Sequence, residues 1–193
     1  YIIALFFAEN KKTLTSEELE ALKEEILQLP EKAEKCLEIK DIVKDFAVET
    51  AKHKDMFFLG RGLDYAVAME GSLKLKEISY IHSEAYAGGE LKHGPIALIE
   101  KGTMVVALAT KEDLFEKMVS NVKEVTTRGA KVLGVAFEGN ESIEKTVDKS
   151  IYLPKINSLF APVLSVIPLQ LLSYYTSIEK GCDVDKPRNL AKS

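Results

Sequence analysis

The chain has 193 residues, of which 46% are hydrophobic and 29% charged, and its 26 Lys and Arg against 30 Asp and Glu give a formal net charge of −4. This mix excludes a disordered chain, and a chain this long can bury a core without a staple or a metal. Evenly spread Lys and Arg exclude the concentrated basic face of a nucleic-acid binder, and the widely separated Cys36 and Cys182 exclude a disulfide framework or cysteine-rich zinc site and point to a reducing cytoplasm.

Residues 1–8 are apolar with no basic stretch before them, which predicts the tail of a helix begun upstream rather than a signal peptide. Thr15 to Glu18 fits a capping box, and Leu19, Leu22, Ile26 and Leu29 follow at helical spacing. Pro30 is predicted to end that helix and open the next. Ile39, Ile42, Val43, Phe46 and Ala47 form another stripe. The other faces of 9–54 are heavily charged, so the segment reads as a helical connector without a core of its own. From Met56 the pattern changes to short continuous apolar runs at 56–59, 104–109, 131–137 and 150–153, which predict strands covered on both faces. Between and after them lie helical patterns at 65–78, at 114–125 and at 162–180, the last ending at Gly181. This alternation predicts an α/β fold with a parallel sheet flanked by helices. No continuous apolar run reaches the ~18–20 residues of a membrane span.

Gly60-Arg61-Gly62 lacks the third glycine of a dinucleotide fingerprint, Tyr65 standing in its place, so it reads as a tight strand-to-helix turn. The helix at 65–78 is apolar or small nearly all round, which predicts burial of most of its circumference. Glu70, Lys74 and Glu77 nevertheless share a sector of about 60° on its wheel. Two readings stay open: a structural ion pair, or a carboxylate and an ammonium converging on a polar ligand at the carboxyl edge of the sheet. The stretch 82–95, with Gly88-Gly89 and Gly94-Pro95, reads as an irregular polar loop inserted before the next strand. Its His82 and His93 are too weak a pair to assign a metal, and His53 gets no role. Residues 182–193 lie beyond the final helix as a tail with a proline and several groups able to bind anions.

The run Glu70-Gly71-Ser72-Leu73-Lys74-Leu75-Lys76-Glu77-Ile78-Ser79-Tyr80-Ile81-His82, the element Glu90-Leu91-Lys92-His93-Gly94-Pro95 and the ending Asp185-Lys186-Pro187-Arg188-Asn189-Leu190-Ala191-Lys192-Ser193 closely resemble the isomerase half of the glucosamine-6-phosphate synthase family. The E-L-K-H-G-P element is shared across enzymes built from paired sugar-isomerase (SIS) domains, whereas K-L-K-E-I-S-Y and R-N-L-A-K-S are more specific to the synthases. The resemblance implies a flavodoxin-like SIS domain, the second of a tandem pair. Residues 1–54 would hold the end of the first SIS domain and the connector helices, 55–181 the second domain, and 182–193 a tail that contributes to the active site. It implies an enzyme that joins ammonia from a separate glutaminase domain to fructose 6-phosphate and isomerises the product to glucosamine 6-phosphate. No metal, nicotinamide or flavin, no nucleic acid and no membrane is implied, and the expected form is a cytoplasmic homodimer.

Matched position by position, Glu77 is the base that moves a proton between C1 and C2, and His93 opens the sugar ring within the neighbouring subunit's site. Lys192 is the tail lysine beside the sugar carbonyl, and Lys74 and Ala191 are substrate-binding positions. The glutaminase domain has no counterpart in these residues, and neither has the S-x-S-G-x-T loop by which the first SIS domain grips the phosphate. The chain on its own is therefore expected to be inactive. Two alternatives stay open, an SIS-type glucosamine-6-phosphate deaminase and a non-catalytic phosphosugar-binding SIS module.

Overall fold

The computed structural model describes residues 1–190. Within them β1 (Asp55–Gly60), β2 (His82–Ala87), β3 (Met104–Ala109), β4 (Lys131–Phe137) and β5 (Lys149–Leu153) form one sheet in the order β2-β1-β3-β4-β5. Every neighbouring pair is parallel. This is the flavodoxin-like order, whose topological switch point lies between β1 and β3. Six helices accompany it: α1 (Ile2–Lys11), α2 (Ser16–Cys36), α3 (Lys40–Thr50), α4 (Leu63–Ser79), α5 (Phe115–Thr127) and α6 (Ala161–Glu179).

The strands alternate between two apolar layers, as a pleat requires. Phe58, Val106 and Leu133 pack with α3, α4 and α6 on one face, and Phe57, Val105 and Val132 pack with α5 on the other. Double cover explains why four of the five strands read as continuous apolar runs. The connector has no separate core: Cys36, Val43 and Phe46 join the layer that holds α6.

Four expectations change. The stretch 82–95 is no simple loop, because His82–Ala87 pairs along the whole of β1, from Asp55↔His82 to Gly60↔Ala87. As an edge strand with only Ser83 fully buried, β2 has no reason to carry an apolar run. Short 3-10 turns at Gly88–His93 and Pro95–Leu98 follow it. Pro30 does not end a helix; α2 runs through it. The proline sits on the exposed side, where water can serve the Ile26 carbonyl that loses its donor. The capping box at the start of α2 does form, with Glu18 N–H donating to Thr15 Oγ1 at 3.2 Å and Thr15 N–H to Glu18 Oε2 at 2.8 Å.

The third change concerns α4, which buries one side only. Val67, Ala68, Gly71, Ser72 and Leu75 face the core, whereas Met69 and Leu73 are 47% and 43% exposed. The small residues permit a close approach to α6: a Cβ on Gly71 would lie 2.6 Å from Leu169 Cδ1. Apolar composition on every side thus does not specify cover on every side. Finally, α6 is long and apolar enough by length and composition to cross a membrane, although no continuous apolar run marks it in the sequence. Here it is a core helix against α3 and α4, with Leu164, Leu169 and Leu172 buried.

Candidate functional site

The charged corner of α4 is fixed by how the helix starts and stops. Gly62, at φ +59°, turns the chain out of β1, and Tyr80, left-handed at φ 61°, ends the helix and returns it toward β2. The 3.6-residue period brings Lys74 Nζ to 2.5 Å from Glu77 Oε2 and to 3.8 Å from Glu70 Oε1. Their side chains are 33%, 28% and 45% exposed, in the order Lys74, Glu77, Glu70. The hydrogen bond to Glu77 is the main reason that Lys74 holds its proton more tightly than an ordinary lysine. A helical ion pair this open to water contributes only about 0.3–0.5 kcal/mol to folding. What it does provide is a carboxylate held in one orientation and able to exchange a proton with a bound ligand.

The position of this pair differs from the expectation. Because α4 starts beyond the carboxyl end of β1 and stops before the amino end of β2, Glu77 and Lys74 lie toward the amino edge of the sheet, not the carboxyl edge. The end of α4 is tied to its neighbours: Ser177 Oγ on α6 donates to the Ile78 carbonyl at 2.7 Å, and Tyr80 N–H to the Lys76 carbonyl at 3.2 Å. The tail docks there as well. Arg188 N–H donates to Tyr80 Oη at 3.1 Å, and the Arg188 guanidinium carbon lies 4.1 Å from the centre of the Tyr80 ring. Asp183 Oδ1 accepts from the backbone N–H groups of Asp185 and Lys186, turning the chain toward this contact. Lys192 and Ala191 lie outside the described residues.

His93 is placed elsewhere. It ends the turn beyond β2, exposed at the carboxyl edge. The six residues of β2 at about 3.3 Å each put roughly 20 Å of sheet between that edge and the end where α4 finishes. Glu77 and Lys74 are therefore brought together within one chain, and His93 is not brought to them.

At the carboxyl edge the sequence gives no sign of Asp64. This residue of the first turn of α4 is 3% exposed and accepts from Thr110 N–H at 2.8 Å, Thr110 Oγ1 at 2.5 Å and Lys111 N–H at 3.3 Å. Burial pushes its carboxyl above the ordinary value, against the pull of those bonds. It thereby ties the first turn of α4 to the end of β3, beside the switch point between β1 and β3. An acidic residue in a first helical turn is commonplace, and nothing nearby names a partner 46 residues away. At the amino edge His82 lies exposed between Asp55 and Glu84, its Nδ1 2.9 Å from Asp55 Oδ1. Among the described residues no group of three or more His, Cys, Asp or Glu is arranged to hold a metal.

The family model for the SIS domain matches residues 49–180. The whole chain is 72% identical to part of the glutamine–fructose-6-phosphate aminotransferase (isomerizing) of Clostridium tetani and 48% identical over 192 residues to that of Thermus thermophilus. It spans 32% of the length of each of these relatives. Among solved structures, the C-terminal domain of glucosamine-fructose-6-phosphate aminotransferase from Francisella tularensis superposes with a TM-score of 0.91 at 39% identity, covering 96% of this chain and 53% of that one. A glucosamine-6-phosphate deaminase from Thermotoga maritima is less similar, at TM-score 0.63 and 27% identity over 100% of this chain and 55% of that one.

Proposed function

The chain belongs to the SIS domain family, and from that premise we propose that it is the C-terminal part of the isomerase half of a glutamine–fructose-6-phosphate aminotransferase. In the intact enzyme, ammonia released from glutamine by a domain outside this chain combines with fructose 6-phosphate, and the product is isomerised to glucosamine 6-phosphate. We read residues 1–54 as the end of a preceding SIS domain with its connector, 55–181 as the second SIS domain, and 182–193 as a tail reaching the site. Glu77 is the base that carries a proton between C1 and C2, and Lys74 orients it. Lys192 and Ala191 serve the sugar from the tail, and His93 opens the ring.

The observation that carries this reading is the 2.5 Å Lys74–Glu77 pair, partly open to water on a helix end that also receives the tail. It supplies a positioned carboxylate where the matched residues require one. The identity to the Clostridium tetani enzyme favours this reaction over a deaminase. The separation of Glu77 from His93 by the length of β2 favours a homodimer in which His93 serves the neighbouring subunit. The free thiols of Cys36 and Cys182 suit a cytoplasmic enzyme.

The test mixes intact subunits carrying His93→Ala with subunits carrying Glu77→Gln. After subunit exchange, one competent site per mixed dimer should recover activity that neither parent has. No recovery would place His93 in its own chain's site, or remove it from the reaction.

A further inference from the structure

The turn that presents His93 is braced from two other elements. Arg61, in the β1–α4 turn, donates from Nε to Asn121 Oδ1 on α5 at 2.9 Å, and Asn121 is only 6% exposed. The pair lies close against the start of the turn. A Cβ on Gly88 would lie 2.7 Å from Asn121 Oδ1, and one on Gly89 would lie 3.3 Å from Arg61 Nη1. Further along, Leu91 is fully buried, and Lys92 Nζ meets Glu124 Oε1 on α5 at 2.8 Å. Asn121 and Glu124 are three residues apart and so share a face of α5. His93 follows directly and is left exposed.

We propose that Arg61 and Asn121 are positioning residues for His93: they fix the Gly88–His93 turn, and so the point at which the imidazole meets a sugar, without touching the sugar themselves. This rests on the reading of His93 given above. A histidine on an unbraced polar turn would sample many positions, and a misplacement of about 1 Å can cost up to about 100-fold in rate.

The experiment uses the intact enzyme and fructose 6-phosphate. Arg61→Met and Asn121→Leu should each lower kcat about 10- to 100-fold with KM moving less than about 2-fold. Asn121→Asp, which keeps the acceptor oxygen, should restore most of the rate lost in Asn121→Leu. In a His93→Ala background, Arg61→Met should cost nothing further, because both changes act through one group. The same loss in that background, or a change in KM instead of kcat, would overturn the proposal. Amide exchange should quicken across Gly88–His93 in Arg61→Met while β3 and β4 stay protected, which keeps the test readable in a less stable variant; an unchanged turn would also overturn it. Glu77→Gln, run alongside, separates the two failures. Wild-type turnover in Glu77→Gln overturns the assignment of the site, whereas its loss there with wild-type turnover in Arg61→Met overturns the brace alone.

Discussion

At the amino edge of the sheet Lys74 and Glu77 meet at 2.5 Å with about a third of each side chain open to water, whereas at the carboxyl edge Asp64 is 3% exposed and takes its hydrogen bonds from Thr110 and Lys111. Both ends hold a carboxylate on the same helix, and burial decides what each can do. An exposed pair adds little to folding and can still exchange protons with a ligand. A buried, triply bonded carboxylate ties two loops together and is closed to ligands. Changes at the first end should therefore move rates, and changes at the second should move stability.

The largest effect that sharpens this contrast concerns the 193-residue chain alone. It should fold, as circular dichroism would register, yet bind fructose 6-phosphate poorly and give no measurable interconversion with glucose 6-phosphate in a coupled assay. Holding a reactant in place can contribute about 7–11 kcal/mol, and the phosphate grip inferred for the preceding domain is not in these residues. Clear turnover would put a complete site within this chain. Next comes Glu77→Gln in the intact enzyme, which should cut isomerisation by about 10²–10⁴-fold and leave the melting temperature nearly where it was. Solvent deuterium uptake at C1 and C2 should fall in parallel, and uptake at the wild-type rate would break the contrast.

At the other edge, Asp64→Ala should cost about 2–4 kcal/mol in denaturant unfolding by stranding the donors of Thr110 and Lys111. The folded intact enzyme should keep its kcat. A large loss of kcat without loss of stability would show that the buried end also does chemistry. Asp64 should also leave a pH signature. Because burial raises its carboxyl above 3.8, the folded state keeps that proton at a pH where the unfolded state has released it. Through that window the folded state binds more protons than the unfolded one, so this group's contribution to stability falls as pH rises. Denaturation midpoints between about pH 3 and 6, compared with those of Asp64→Asn, isolate the slope. The smallest effect is expected from Tyr80→Phe, which removes the hydroxyl that receives Arg188 N–H but keeps the ring under the guanidinium. It should cost about 0.5–1.5 kcal/mol at most and show as faster amide exchange at Arg188.

How much of this can be read from the sequence follows from the range of each interaction. Strands covered on both faces leave runs such as Met104–Ala109 that need no partner to be recognised. The edge strand His82–Ala87 borrows its regularity from β1, so its polar residues resemble a loop. Lys74 and Glu77 are legible together because the helical period alone joins them. Their placement at the amino edge follows from α4 running back from the carboxyl end of β1, an order the sequence does show, so the carboxyl-edge expectation rests on the usual ligand position of such sheets rather than on the residues. Asp64 with Thr110, Arg61 with Asn121 and Tyr80 with Arg188 join residues 46, 60 and 108 positions apart, and no local spacing encodes such pairs.

Sheets with this strand order receive ligands beyond the carboxyl ends of their strands, at the switch point, where anions can meet free backbone N–H groups. Here the Asp64 carboxylate already accepts from the Thr110 and Lys111 N–H groups, attached to the protein by its own Cβ. A phosphate arriving from solution competes with a tethered rival whose effective concentration is at least on the order of millimolar. An anion reaches the Thr110 and Lys111 N–H groups only by displacing this side chain.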